Sequence, residues 1–187
     1  MTATGPRVVA TGDLVRLREK RIEDAANDYE WRRDHELAEY DATRPLTMPY
    51  RSFVATLMDD LEAPGTYRRS FAIEDIATGK HIGNVMYYGY DPTLGEAELG
   101  ITIGDRGYWS KGFGTDTVRT MLRYLFEERG LRRIHLHTLS WNYRAQTAFA
   151  RGGFRRVRSV RRDGYDFDRM EIRKDEWEAA RADEAVS

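Results

Sequence analysis

Apolar positions along this chain switch between a period of two and a period near 3.6, and the switches divide it into strands and helices. Leu14-Val15-Arg16-Leu17-Arg18 alternates and predicts a strand. Ile22, Ala25, Ala26 and Tyr29 then take helical spacing, with Glu23 and Asp24 where a helix N-terminus favours negative charge, and the helix is predicted to end near Arg33. Asp34 to Pro49 shows no period, contains Pro45 and Pro49, and reads as a loop. Phe53, Val54, Leu57, Met58 and Leu61 predict a second helix that Pro64-Gly65 stops.

Three strands follow, over Arg69–Glu74, Ile82–Tyr90 and Glu98–Ile103, with turn signals at Ala77-Thr78-Gly79-Lys80 and at Asp91-Pro92 and Gly95. Val118, Met121, Leu122 and Leu125 fall on one face of a helix that Gly130 ends. A β-rich run covers Arg133–Leu139, and a short helix covers Asn142–Arg151 before Gly152-Gly153. Phe154–Val160 and Tyr165–Arg173 form a hairpin around Asp163-Gly164. Residues 1–12 read as a ragged lead-in, and residues 174–187 as a C-terminal tail with a short helix over Asp175–Ala182. Hairpin strands mixed with one crossover predict an α+β fold with a mixed sheet, not an alternating doubly wound one. With no repeat and no linker, the 187 residues are expected to form one domain.

A chain that is 41% hydrophobic and 33% charged has the composition of a soluble globular protein, which excludes a disordered one. It contains no apolar run long enough to span a bilayer, and MTATGPRVVA lacks the apolar core of a secretory signal, so a cytoplasmic location is expected. The absence of cysteine excludes disulfides, thiolate zinc sites and a cysteine nucleophile, so any thiol in the chemistry must come from a cofactor. A net charge of −1 argues against a dedicated nucleic-acid binder. The charge is unevenly placed. Leu131 to Arg162 holds nine arginines and no acid, whereas Glu19 to Asp41 holds nine acids against Lys20, Arg21, Arg32 and Arg33. The first region suits an anionic ligand and the second a cationic one.

The chemistry concentrates between Ala97 and Phe154. Gly112 and Gly114 open an amphipathic helix, where free backbone N–H groups and the helix dipole suit a phosphate group. The turn lacks the GxxxxGK[ST] spacing of a P-loop and the third glycine of a dinucleotide fingerprint. His35, His81, His135 and His137 have no convincing metal-ligand spacing; His135 and His137 share a strand face and read as ordinary strand residues before a metal pair. No metal is expected, and no Ser-His-Asp arrangement stands out.

The succession AELGITIG, RGYWSKGFGTDT and WNYRAQTAFARGGF resembles the acyl-CoA-binding core of the GNAT superfamily of N-acetyltransferases, most closely its RimJ/RimL branch. The family's phosphate motif, Q/R-x-x-G-x-G/A, falls on Trp109-Ser110-Lys111-Gly112-Phe113-Gly114, with Trp109 in place of the usual Gln or Arg as a mark of that branch. The resemblance implies a twisted, mostly antiparallel sheet with a splayed strand pair, flanked by about four helices. It implies an enzyme that transfers an acetyl group from acetyl-CoA directly to a primary amine of a protein N-terminus or a small molecule, and it allows a homodimer. Ile101, Thr102 and Ile103 would hold the pantetheine arm. Trp109, Ser110, Lys111, Gly112, Phe113, Gly114 and Thr115 would hold the pyrophosphate. Asn142 would bond the cofactor, and Arg144 would sit near the phosphates or brace its helix. Glu98 is the candidate base, acting directly, through water, or by attracting an ammonium. Trp31, Asp34, Tyr40 and Asp41 are expected to shape the acceptor pocket. Phe149 stands where many members carry an acidic tyrosine, so water, Tyr143 or nothing protonates the leaving thiolate, or the chain is a non-catalytic acyl-CoA sensor.

Overall fold

The computed structural model describes residues 5–186, so residues 1–4 of the expected lead-in and Ser187 of the expected tail lie outside the described residues. Eight strands form one sheet: β1 (Val8–Thr11), β2 (Val15–Glu19), β3 (Arg69–Asp75), β4 (His81–Asp91), β5 (Glu96–Ile103), β6 (Arg133–Leu139), β7 (Arg155–Arg162) and β8 (Tyr165–Arg173). Their spatial order is β1-β2-β3-β4-β5-β6-β8-β7, antiparallel except for the β5–β6 pair. The helices are α1 (Ala25–Arg33), α2 (His35–Tyr40), α3 (Tyr50–Glu62), α4 (Phe113–Arg123), α5 (Tyr143–Arg151) and α6 (Lys174–Val186). This is the mixed α+β architecture read from the sequence. Two elements differ from that reading. Val8–Thr11, in the expected lead-in, is a strand paired to β2; at a half-exposed sheet edge it has no strong alternation to show. Within the expected loop, α2 forms because the Asp34 carboxylate caps it, accepting from the Leu37 N–H at 2.9 Å, and its six residues are too few to display a period.

On one sheet face the core joins Leu17, Phe71, Ile73, Val85, Tyr87 and Leu99 to α4. Val118, Met121, Leu122 and Leu125, the one-face set of the sequence pattern, are fully buried against it. Each contributes on the order of 1.5–3 kcal/mol of burial free energy. Asp116, in the first turn of α4, accepts the N–H groups of Asp13, Leu14 and Val15 and so fixes that helix to the start of β2.

Charged side chains tie α1 to the opposite face. Arg18 forms a bidentate pair with Asp24 at 2.8 Å and reaches Glu74 through Nε at 2.7 Å, all three side chains being buried. Lys20 bonds Asp28 and Asn84, and Asn84 donates to Asp28 at 2.7 Å. Asp34 and Glu36 pair with Arg106. Four of the nine acids of residues 19–41 are therefore paired with basic side chains of the fold rather than presented to a ligand. Most of the later arginines are likewise engaged, Arg133 with Glu96, Arg155 with Glu171 and Arg156 with Asp168.

The feature that positions the site is the parting of β5 from β6. They pair only at Glu96↔Arg133, Ala97↔Ile134 and Glu98↔His135. Beyond Glu98 and His135 each strand runs on without the other, giving the splayed pair. The Gly104 N–H bonds the Ile82 carbonyl on the β4 side. In an antiparallel ladder alternate residues turn the other way, so Leu99, Ile101 and Ile103 direct their N–H and C=O groups into the gap.

Candidate active site

A cavity of ≈ 680 Å³ opens where the strands part. Met86, Tyr88, His137 and Phe167 line it from the face that carries α1 and α2, together with Tyr40 and Asp41. Val118, Ala145, Ala148 and Phe149 line it from α4 and α5. The cavity thus passes through the sheet and joins its two faces.

At one end lies the glycine turn. Gly112 is the N-cap of α4 with φ +89°, a left-handed conformation natural to glycine, and Ser110 also has φ +58°. The first helical bond runs from the Asp116 N–H to the Gly112 carbonyl. The N–H groups of Phe113, Gly114 and Thr115 precede it and have no acceptor in the helix. Ser110, Gly112, Gly114 and Thr115 all line the cavity. Trp109 donates its indole N–H to the Ile103 carbonyl at 2.7 Å, and the Arg144 guanidinium stacks 3.6 Å from its ring centre and 4.7 Å from that of Tyr40. Arg144 has no ion pair with a described residue and lines the cavity, so its charge is available to an anion. Asn142 caps α5, accepting from the Ala145 N–H at 3.2 Å, and its amide nitrogen bonds no described group. Two expected members of the turn face elsewhere. Lys111 donates to the Gly107 carbonyl at 2.6 Å, and Phe113 packs against Tyr108, so neither side chain lines the cavity.

Where the strands part, Glu98 accepts from His137 Nδ1 at 2.8 Å, and His135 Nε2 stands 3.6 Å away. Burial alone would raise the Glu98 carboxyl, but hydrogen bonds from His135, His137 and Tyr88 outweigh it and hold it down at about 2. Burial, reinforced by the Glu98 charge, pushes the Tyr88 hydroxyl up, so it remains a donor. Glu98 itself does not line the cavity; His137 and Tyr88 stand between.

Of the expected acceptor residues, the structure brings Tyr40 and Asp41 to the cavity wall. Asp41 accepts from the Thr102 hydroxyl at 3.2 Å. Its surface is partly in water, yet the concave wall crowds the carboxyl enough to push it up to about 6, against the pull of Thr102 and Arg32. Trp31 and Asp34 are not in the wall. Trp31 packs over His81 and on Gly104, where a Cβ would meet its ring at 2.1 Å, and Asp34 caps α2 and pairs with Arg106. Tyr88, His137, Met86 and Phe167 were missed by sequence reasoning. The His135-x-His137 alternation was the visible signal, but its meaning depends on the register that sets it beside Glu98. Among the described residues no group of three or more His, Asp or Glu side chains is arranged to hold a metal ion.

The model of the acetyltransferase (GNAT) domain family matches residues 15–155, and the chain belongs to that family. An uncharacterized N-acetyltransferase, p20, of Bacillus licheniformis is 30% identical over 119 residues, covering 63% of this chain and 66% of that protein's length. The spermidine N-acetyltransferase of Vibrio cholerae, solved with CoA and spermine, superposes with a TM-score of 0.77 at 20% identity, over 88% of this chain and 98% of that one. The aminoglycoside acetyltransferase AAC(6')-Ib, solved with coenzyme A, gives 0.73 at 21% identity, over 89% and 99%.

Proposed function

We propose that this GNAT acetyltransferase moves the acetyl group of acetyl-CoA directly onto the primary amine of a small cationic acceptor. The observation that carries this reading is the cavity through the sheet, whose wall holds the phosphate-binding donors of the glycine turn, the unpaired edge of β5 and the Asp41 carboxylate. The free N–H groups of Phe113, Gly114 and Thr115, with the Arg144 guanidinium beside them, fit a pyrophosphate. The outward backbone groups of Leu99 and Ile101, with the Ile103 N–H, fit the amides of a pantetheine arm, and the Asn142 amide nitrogen supplies a further donor. An N–H at Leu99 or Ile101 is suited to polarising the thioester carbonyl.

Asp41 offers an ammonium group a carboxylate. The related folds that carry the names spermidine and aminoglycoside acetyltransferase support a cationic amine over a protein N-terminus as acceptor. Glu98 keeps a fixed negative charge behind the reaction centre and orients His137; held at about 2, it acts as an anchor and not as the proton acceptor itself. Trp109, standing where the family motif usually carries Gln or Arg and bonded to the end of β5, supports kinship with the RimJ/RimL branch.

The test is an acceptor screen. The protein is incubated with acetyl-CoA and a polyamine, an aminoglycoside, an amino acid or a short peptide, while free thiol and acetylated product are followed. Acetylation of a polycationic small amine is expected. Selective acetylation of the peptide N-terminus would overturn the acceptor class, and binding of acetyl-CoA without transfer to any amine would overturn the enzyme.

A further inference from the structure

Acetyl transfer to an amine is speeded by a group that takes a proton from the acceptor and gives one to the departing sulfur. Phe149, at the α5 wall, has no hydroxyl to offer. Each of the four tyrosines at the cavity is otherwise placed, Tyr40 packing on Trp109 with the Arg144 guanidinium over its ring beside the glycine turn. Tyr108 donates to Asp75 at 3.1 Å, Tyr143 is 72% exposed, and Tyr88 is bound to Glu98. Asp41 stands at the α2 side, tied to Thr102.

His137 differs from all of these. Its Nδ1 bonds Glu98 Oε1 at 2.8 Å, and a carboxylate can only accept, so Nδ1 carries the hydrogen and Nε2 carries the lone pair. Nε2 bonds no described residue, and the ring lines the cavity two residues beyond the last β5–β6 pair. His135 cannot share this part, since its Nε2 faces Glu98 and its Nδ1 is buried without a partner. The groups facing His137 are Glu98 from β5, Tyr88 from β4, His135 on its own strand and Arg169, its partner in register on β8.

We propose that His137 is the proton-transfer residue of the acetyl transfer, with Glu98 as the residue that positions it; this rests on the acetyl-transfer reading above. Nε2 accepts a proton from the acceptor ammonium. The freed amine nitrogen forms its bond to the acetyl carbonyl carbon, and the carbon–sulfur bond breaks with its electron pair on sulfur. Nε2–H then protonates the thiolate, and the second proton of the new amide nitrogen leaves to water. Acetyl-CoA and an ammonium become an acetamide, free CoA thiol and one proton.

The test uses two variants of the full chain. His137→Asn keeps a donor near the Nδ1 position but has no Nε2, so its packing and its bond to Glu98 are retained. It should bind acetyl-CoA within about twofold of the wild type, lower turnover by on the order of a hundredfold and flatten the low-pH limb of the rate profile. His137→Ala should regain turnover when imidazole is added, a response that a purely structural role would not give. A His137→Asn enzyme that keeps full turnover and the wild-type pH profile would overturn this inference and leave the acetyltransferase reading standing. Wild-type protein that acetylates no amine would overturn both.

Discussion

Glu98 and His135 are the last residues that β5 and β6 hold in register, and the strands separate one residue later. That pair fixes where the sheet opens, and it sets Glu98 against His137 at 2.8 Å on the rim of the opening. The same parting therefore creates the cavity and arms it.

Glu98→Gln tests this relationship. A neutral amide can accept one hydrogen bond but cannot carry the charge that holds His137. Turnover should fall by roughly a hundredfold while acetyl-CoA affinity stays nearly constant, because Glu98 does not line the cavity. Steady-state kinetics beside calorimetric titration give both numbers. A variant running at full speed across the pH range would assign Glu98 to structure alone.

Gly112→Val addresses the phosphate turn. At φ +89° a β-branched residue is strained, and relieving the strain would shift the turn that sets the donors of α4. Acetyl-CoA affinity should drop by about tenfold or more, about 1.4 kcal/mol. Calorimetry on variant protein with an intact circular dichroism spectrum measures it, and unchanged affinity would remove the turn from the binding site.

Asp41→Asn separates stability from function. An ordinary aspartate ionises near 4, and folded Asp41 does so at about 6. A raised value means that the fold favours the protonated form. Its stabilising contribution is present below about 4 and lost as pH rises through about 6. The variant should therefore melt higher than the wild type above pH 6 and equally below pH 4. KM for a cationic acceptor should rise in the same variant. Wild-type KM for that acceptor should fall as pH passes about 6 and Asp41 becomes charged. Melting curves that coincide at every pH would show that the carboxyl is not strained by its surroundings.

Glu74→Ala probes the buried charges beneath α1. It leaves Arg18, whose side chain is 2% exposed, with Asp24 as its remaining carboxylate. With the bidentate Asp24 pair intact the loss should be measurable but smaller than the ~3–5 kcal/mol cost of leaving a buried charge without any partner. A denaturation midpoint within error of the wild type would contradict the buried network.

Much of this was legible in the chain. The alternation of Leu14–Arg18 and the one-face set of Val118 to Leu125 show directly, because period and burial coincide there. The glycine turn was legible because backbone donors at a helix start require only local sequence. What escaped was set by partners distant in sequence. The acids of residues 19–41 looked like a cationic site, but Arg18, Lys20 and Arg106 consume four of the nine, and only the fold brings Arg106 beside Asp34 and Glu36. Trp31 looked like a pocket residue until Gly104 proved to be its seat. His137 looked ordinary because its neighbour Glu98 lies 39 residues earlier.

Direct transfer through the opened sheet is tested most plainly by two-substrate initial-rate kinetics with the best cationic amine, varying acetyl-CoA at several fixed acceptor concentrations. Both substrates must occupy the cavity together, so the double-reciprocal lines should intersect, and mass spectrometry should find no acetylated protein when the acceptor is withheld. Parallel lines with an acetyl-enzyme, the signature of a ping-pong route, would contradict the account.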